Sequence, residues 1–318
     1  MIEVPFPQHT REESFPFAHN LMPVTDNLDG FRNFTEQYPT FSFCPYLADK
    51  TSESWQNSTS RRYMNQVLPG LLYVPVNIAD GDDTGLVEFI RYADSAADIP
   101  AVNITQPHKS TPALREYFYG NPSSNENIDT LIKVGGDGLR PLDLNAPSFI
   151  NWFEESVQAF KETNVVIVGV GGVGEPIAKH IDKKRPQSIT LVDINDKSIL
   201  ASLLDSASTY RSRLSDMDNI KERTIVINAS GKDGISDDTG LLQFLEASRP
   251  GTFVDLRPQL KLDIVEAAKD AGWAAYTGNG MNARNDYELL CGIMDYLKTL
   301  EGNRPSFEQF SRIVTSAS

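Results

Sequence analysis

The sequence predicts an α/β protein: an N-terminal α/β half, a doubly wound parallel sheet, and a terminal helix that returns to the first half. Three observations predict it. Short runs of β-branched and aromatic residues alternate with stretches of helical spacing, the pattern of βαβ units. In the second half these runs, beginning with "NVVIVGV" (164–170), are apolar throughout, as strands covered on both faces are. The last long apolar stretch, "ARNDYELLCGIMDYLKTLEG" (283–302), has helical spacing and follows the final strand pattern.

The elements follow in order. Residues 1–40 are rich in Pro, Phe, Asn and Asp without a sustained period, and are read as an irregular extension lying against the body. "LLYVPVNI" (71–78) reads as a strand, "TGLVEFIRYADSA" (84–96) as a helix and "AVNIT" (101–105) as a second strand. "TPALREYFYG" (111–120) is a short helix closed by Gly120. "DTLIKVGGDGLRPLDL" (129–144) places two apolar runs around "GGDG", a hairpin that adds strands at the sheet edge. "SFINWFEESVQAFK" (148–161) is a linking helix. The buried strands "NVVIVGV", "SITLVDI", "TIVINA", "TFVDL" and "WAAYT" then alternate with helical stretches such as "GEPIAKHIDKK" and "KLDIVEAAKDAG". The expected division is an extension at 1–40, a first domain at 41–150 joined by 283–318, and a second domain at 151–282.

Composition narrows the function. The 318 residues carry 43 acidic groups and a net charge of −14, with a pI of about 4.7, which argues against tracking nucleic-acid phosphates. Cys44 and Cys291 are too few for a disulfide scaffold. His9, His19, His108 and His180 are scattered, so no metal site is expected. No basic, apolar leader opens the sequence and no run approaches a bilayer span, so a cytoplasmic protein without membrane contact is expected. The expected partner is a small-molecule substrate, with a homodimer as the assembly considered.

The strongest local signal is "VVIVGVGGVGEPIAKHI" (165–181). Gly169, Gly171 and Gly174 match G-x-G-x-x-G between a predicted strand and a predicted helix, with Gly172 and Val173 inside the turn. Glycines there permit a tight turn and close approach of backbone to a pyrophosphate, and the helix N-terminus offers free N–H groups. This is the dinucleotide loop of a Rossmann fold. Asp193, at the end of "SITLVDI", stands where a carboxylate accepts the ribose hydroxyls of NAD and repels the additional phosphate of NADP. "DINDK" (193–197) has no arginine, so NAD is expected over NADP.

"NITQPHK" (103–109), a strand ending in N-x-T-x-P-x-K, precedes that loop by about 60 residues. Together the two resemble the shikimate and quinate dehydrogenase family, over roughly residues 45–300. "NIDTLI" (127–132) is similar to the family's A-V-N-T-L segment and "GLRPLDLNAPSF" (138–149) to its G-x-L-x-G-x-N-T-D-x-x-G-F. "INASG" (227–231) resembles the turn beside the nicotinamide. "VDLRP" with "AAKDAG" resembles the D-x-x-Y-x-P and A-x-x-x-G region, without its tyrosine, and "GNGMNARND" (278–286) the G-x-x-M-L-x-x-Q region.

The resemblance implies a two-domain NAD(P)-dependent dehydrogenase acting on a CH–OH group. It implies that Lys109 polarises the reacting oxygen, that Asn103 and Thr105 bind substrate, and that Asn228, Ala229, Ser230, Gly278 and Met281 line the nicotinamide pocket. The departures are as informative. Asn145 replaces the family's catalytic aspartate, Asp143 and Asp129 replace asparagines, and Asn285 replaces a glutamine. Ser52 and Ser54 only loosely match the serine pair that grips the substrate carboxylate. An asparagine cannot accept a proton as a carboxylate does, so Asp129 or Asp143 is expected to take the part that Asn145 cannot. The expected substrate is a small polar cyclic hydroxy or amino acid other than standard shikimate. Alternatives are a catalytically silent dinucleotide-binding sensor or partner protein, and an enzyme resembling methylene-tetrahydrofolate dehydrogenase.

Overall fold

The computed structural model describes residues 24–49, 68, 70–105, 107–124, 126–134, 138–218, 220, 223–230, 238–257, 263–297 and 305–316. The first sheet begins earlier than the sequence suggests. β1 (Thr25–Asp26) and α1 (Asn27–Gln37) lie within the stretch read as irregular. That expectation is corrected for 24–40: Thr25 and Asp26 pair with Val76 and Asn77, and Phe31 and Phe34 enter the core. Residues 1–23 lie outside the described residues.

β2 (Ser42–Ala48) and β3 (Leu71–Asn77) follow, then α2 (Asp83–Ser95), β4 (Ala101–Ile104) and α3 (Pro112–Tyr119). β2 is central and buried, but Pro45 within it disguises it as a loop in sequence. The hairpin of β5 (Thr130–Lys133) and β6 (Leu139–Leu142) completes the order β1-β3-β2-β4-β5-β6, parallel as far as β4 and antiparallel beyond it.

α4 (Asn145–Ser156) leads to β7 (Asn164–Val168), α5 (Gly174–Asp182), β8 (Ser188–Val192), α6 (Ser198–Leu203) and β9 (Ala207–Arg211). β10 (Thr224–Asn228), α7 (Asp238–Ala247), β11 (Thr252–Asp255), α8 (Asp263–Asp270) and β12 (Ala274–Thr277) complete an all-parallel sheet of order β9-β8-β7-β10-β11-β12. Its strands serve two cores by simple alternation: Val165 and Ile167 face one side, Val166 and Val168 the other. Burial on both faces explains the unbroken apolar runs.

α9 (Asn279–Leu297) links the halves, and α10 (Phe307–Ser316) packs against it. Met281 at its start belongs to a core of the second sheet, whereas Leu289, Leu290, Ile293 and Met294 belong to that of the first. The returning helix therefore begins earlier than the sequence pattern at 283 indicates. No helix among the described residues is long and apolar enough to cross a membrane.

Candidate active site

The glycine loop leaves β7 at the point where strand order reverses between β7 and β10, the crevice in which such sheets receive ligands. Gly169 has φ +83°, and a Cβ on it would stand 2.4 Å from the Ser230 backbone. A Cβ on Gly174, at the start of α5, would meet the Gly169 carbonyl oxygen at 2.0 Å. Gly171 is different: nothing lies within 4 Å of the corresponding position. Two glycines thus close the turn, while the third leaves open space before a helix N-terminus, preceded by Gly172 and Val173. These residues fit a dinucleotide pyrophosphate.

Asp193 follows β8 and is 8% exposed. Its Oδ2 accepts a hydrogen bond from Val170 N (2.6 Å), and its Oδ1 accepts from Asn195 N (2.8 Å) and Nδ2 (3.2 Å). The carboxylate is thereby fixed to the glycine loop. The structure adds a cation that "DINDK" does not contain: exposed Arg211 ends the edge strand β9, opposite Val192 in the register.

Across the switch point, Asn228 ends β10. Its Nδ2 donates to Asp255 Oδ1 (3.3 Å), and its Oδ1 accepts from Ser230 N (3.3 Å) and Oγ (2.7 Å). Ala229 N donates to the Val168 carbonyl (2.7 Å) and Gly278 N to that of Asp255 (2.8 Å). Met281 is buried in the core below. Arg257 grips Asp255 through Nε (3.0 and 3.2 Å) and Nη2 (2.8 Å). This buried pair shows in sequence only as an acid and an arginine closing the apolar run in "TFVDLRP".

The ends of β4, β5 and β6 bring together most of the expected polar groups of the first half. After β4 the chain turns through a 3₁₀ segment at His108–Ser110. His108, unassigned in sequence, is buried with its Nε2 3.0 Å from the Ile78 carbonyl oxygen. The half-buried Lys109 is held at its backbone, where its carbonyl accepts from Ile128 N (3.0 Å). Thr105 is half-buried, its N–H given to the Leu47 carbonyl (3.0 Å). Asn103 is 4% exposed, and its Nδ2 donates to the Asp129 carbonyl (3.3 Å) and Thr130 Oγ1 (3.5 Å), so its amide nitrogen ties two strands together. Ser52 and Ser54 lie outside the described residues.

Asp129 is 1% exposed and richly served by donors. Leu144 N stands 3.1 Å from both of its carboxylate oxygens, and Asn145 N reaches Oδ2 at 3.2 Å. Asn145 Nδ2 donates to the same Oδ2 at 2.5 Å. Asn145 Oδ1 in turn accepts from Asn285 Nδ2 on α9 (3.2 Å). Asp143 is half-buried; its Oδ1 accepts from Asn145 N (3.1 Å), the same N–H that reaches Asp129 Oδ2, so the two carboxyl groups stand side by side. Burial, and then the charge of Asp129, push the Asp143 carboxyl up to about 7, against the lowering influence of Asn145 N–H and the Lys109 ammonium. Burial, with Glu126 and Asp143 adding to it, also raises the Tyr119 hydroxyl.

A side-chain contact joins the two sets. Asn127, two residues before Asp129, donates from Nδ2 to the Gly172 carbonyl in the glycine loop. Nothing in the sequence marked Asn127, because its partner lies 45 residues away.

No family model matches the chain, and no curated protein matches it in sequence. Solved structures do match in shape. A shikimate 5-dehydrogenase from Listeria monocytogenes, in complex with shikimate and NAD, is 14% identical with a TM-score of 0.61, covering 86% of this chain and 96% of its own. A shikimate dehydrogenase in complex with NADP⁺ is 15% identical, with a TM-score of 0.61 and coverage of 87% and 96%. The chain has the shikimate dehydrogenase fold. A 5-ketofructose reductase of Gluconobacter sp. strain CHM43 shares that fold (15% identity, TM-score 0.61, coverage 88% and 99%). In the shikimate dehydrogenase fold of this chain, the glycine loop and the Lys109–Asp129–Asp143 group are neighbours through Asn127.

Proposed function

We propose that the protein is a nicotinamide-dinucleotide-dependent oxidoreductase that moves a hydride between the cofactor and a CH–OH or C=O carbon of a small polar cyclic substrate. The observation that most supports this reading is the Asn127–Gly172 hydrogen bond. It puts the strand end carrying Asp129 beside the loop that would hold the pyrophosphate. Gly169, Gly171, Gly172, Val173 and Gly174 would hold the phosphates, Asp193 the adenosine ribose, and the Asn228–Ser230 turn with Gly278 the nicotinamide side. The bound cofactor supplies or accepts the hydride. Lys109 steadies the reacting oxygen as a compact cation, with the carboxyl groups of Asp129 and Asp143 beside it. Asp193 favours NAD over NADP.

The substrate is a hydroxy or amino acid other than standard shikimate. Beside Lys109 the site carries Asp129 and Asp143, a balance that favours a ring bearing an amino group as well as its carboxylate over one bearing a carboxylate alone. The test is a panel of ring hydroxy acids, their amino analogues and keto sugars, followed by NADH absorbance in both directions. Turnover on a panel member supports the reading. NAD binding with no turnover on any member favours a dinucleotide-binding sensor, and absence of binding removes both.

A further inference from the structure

The two aspartates of the site are not equivalent, and the direction of each hydrogen bond separates them. Asp129 Oδ2 accepts from Asn145 N and from Asn145 Nδ2, and both Asp129 oxygens face Leu144 N. All of these partners are donors. Turning the Asn145 amide alone would set its oxygen against the Asp129 carboxylate and its nitrogen against Asn285 Nδ2, so the Asn285 contact favours the donating orientation. Asn285 and Asn145 thus form a directed chain ending on a carboxylate that can only accept. Asp143 Oδ1 shares the Asn145 N–H with Asp129 Oδ2 (3.1 and 3.2 Å), so the two carboxyl groups stand side by side and Asp143 is the one left to carry a proton. Asp129 is 1% exposed, whereas Asp143 retains solvent contact.

We infer that Asp143 is the proton-exchanging residue of the site, and that Asp129 is a positioning residue fixed by the Asn285–Asn145 chain and the 144–145 backbone. The inference rests on the oxidoreductase reading and refines it. When the substrate alcohol is oxidised, a bound nicotinamide would take up its C–H pair as hydride. The O–H bond breaks, its electron pair forms the C=O bond, and the proton passes to ionised Asp143. Asp143 then returns the proton to solvent. In reduction the protonated Asp143 delivers it to the new alkoxide oxygen. The exchange of Asn and Asp along this segment becomes coherent: an aspartate at 145 would set a third carboxylate against Asp129, and the asparagine removes that repulsion.

The groups acting on Asp143 are Asp129 ahead of β5, the Asn145 N–H at the start of α4 and Lys109 after β4, with Tyr119 at the end of α3 feeling the Asp143 charge in turn. The proton on Asp143 is the one that leaves near neutral pH, since burial and the Asp129 charge raise that carboxyl to about 7.

The test is a pH titration of the full-length protein labelled with ¹³C at the aspartate carboxyls, read by NMR without substrate. One carboxyl should titrate near pH 7 and vanish in Asp143→Asn. In Asp129→Asn, or in Asn285→Ala if the former fails to fold, the Asp143 titration should move to lower pH. A purely structural Asp129 would leave that titration in place. On a panel substrate, Asp143→Asn should lower turnover on the order of a hundredfold and abolish the rise of oxidation rate with pH around neutrality. Asp143 titrating with ordinary carboxyls, or a signal near 7 that survives Asp143→Asn, overturns the inference. NAD binding is followed in the same samples by fluorescence. A normal Asp143 titration without NAD binding would reject the oxidoreductase reading alone.

Discussion

Asn127 donates its side-chain amide to the backbone carbonyl of Gly172, joining the segment that enters the first sheet to the loop that leaves the second. Gly172 lies close enough that a Cβ added there would contact Asn127 Nδ2 at 3.4 Å. A small residue on one side and a short polar one on the other let two backbones approach. Asn127→Ala is expected to cost about 1 kcal/mol and to raise the KM for NAD severalfold, since the loop loses its anchor. A thermal melt with an NAD titration measures both.

The glycines of the loop should separate by substitution. Gly174→Ala drives a methyl into the Gly169 carbonyl, 2.0 Å from the ideal Cβ, so a loss of several °C in Tm and of NAD binding is expected. Gly171→Ala meets nothing within 4 Å and should keep its Tm while weakening NAD, because the methyl occupies the space left for phosphate. Equal effects on Tm would contradict this division.

NAD should bind at least tenfold more tightly than NADP, a difference of about 1.4 kcal/mol or more. The Asp193 carboxylate is fixed by Val170 N and Asn195 N and cannot readily swing away from a 2′-phosphate. Asp193→Ser removes that charge and leaves Arg211 on the neighbouring strand, so it should narrow the preference or reverse it. Fluorescence titration of both cofactors gives the ratio.

Lys109→Ala should leave folding and NAD affinity unchanged and lower turnover at least a hundredfold. The side chain stands on the first half, and the hydrogen bond that secures its position uses its backbone carbonyl, which alanine retains. The measurement is kcat against Kd for NAD on the same preparation.

Asp143 gives stability a pH dependence of known sign. Its folded value, about 7, lies above an ordinary 3.8. The folded state therefore holds a proton that the unfolded chain has released, and its contribution is complete below about 4 and lost as pH rises through about 7. The full displacement corresponds to about 4 kcal/mol; partial contact with solvent reduces this to about 2 kcal/mol. Across pH 4–8, wild type should lose that much more stability than Asp143→Asn in denaturant titrations. Parallel curves would count against a raised Asp143.

What the sequence alone determined was whatever is written over a few consecutive residues. The apolar runs of β7, β8, β10 and β11 announce a sheet covered on both faces, and "GVGGVG" between strand and helix announces a phosphate-binding turn. Gly120 at φ +62° closes α3 where a glycine was read as its stop. Local signals of this kind survive because backbone conformation and burial periodicity act over one or two turns of chain. They fail where the local pattern is ambiguous. β2 contains a proline, β9 is an edge strand that is nowhere fully buried, and β1 with α1 lies in a stretch whose composition looks irregular.

Only the tertiary structure decided how the polar residues divide their work. The sequence left Asp129 and Asp143 as alternatives for the part that Asn145 cannot take, with Asn285 placed near them only by resemblance. The fold brings Asn285 to Asn145 across 140 residues, and that contact favours the Asn145 nitrogen toward Asp129. It likewise buries Asp129 beneath the N-terminus of α4, leaves Asp143 in contact with solvent, and sets Arg211 beside Asp193 through strand register. The physical reason is that proton affinity and hydrogen-bond direction depend on burial and on neighbours within a few ångströms, and those neighbours are chosen by packing of distant segments.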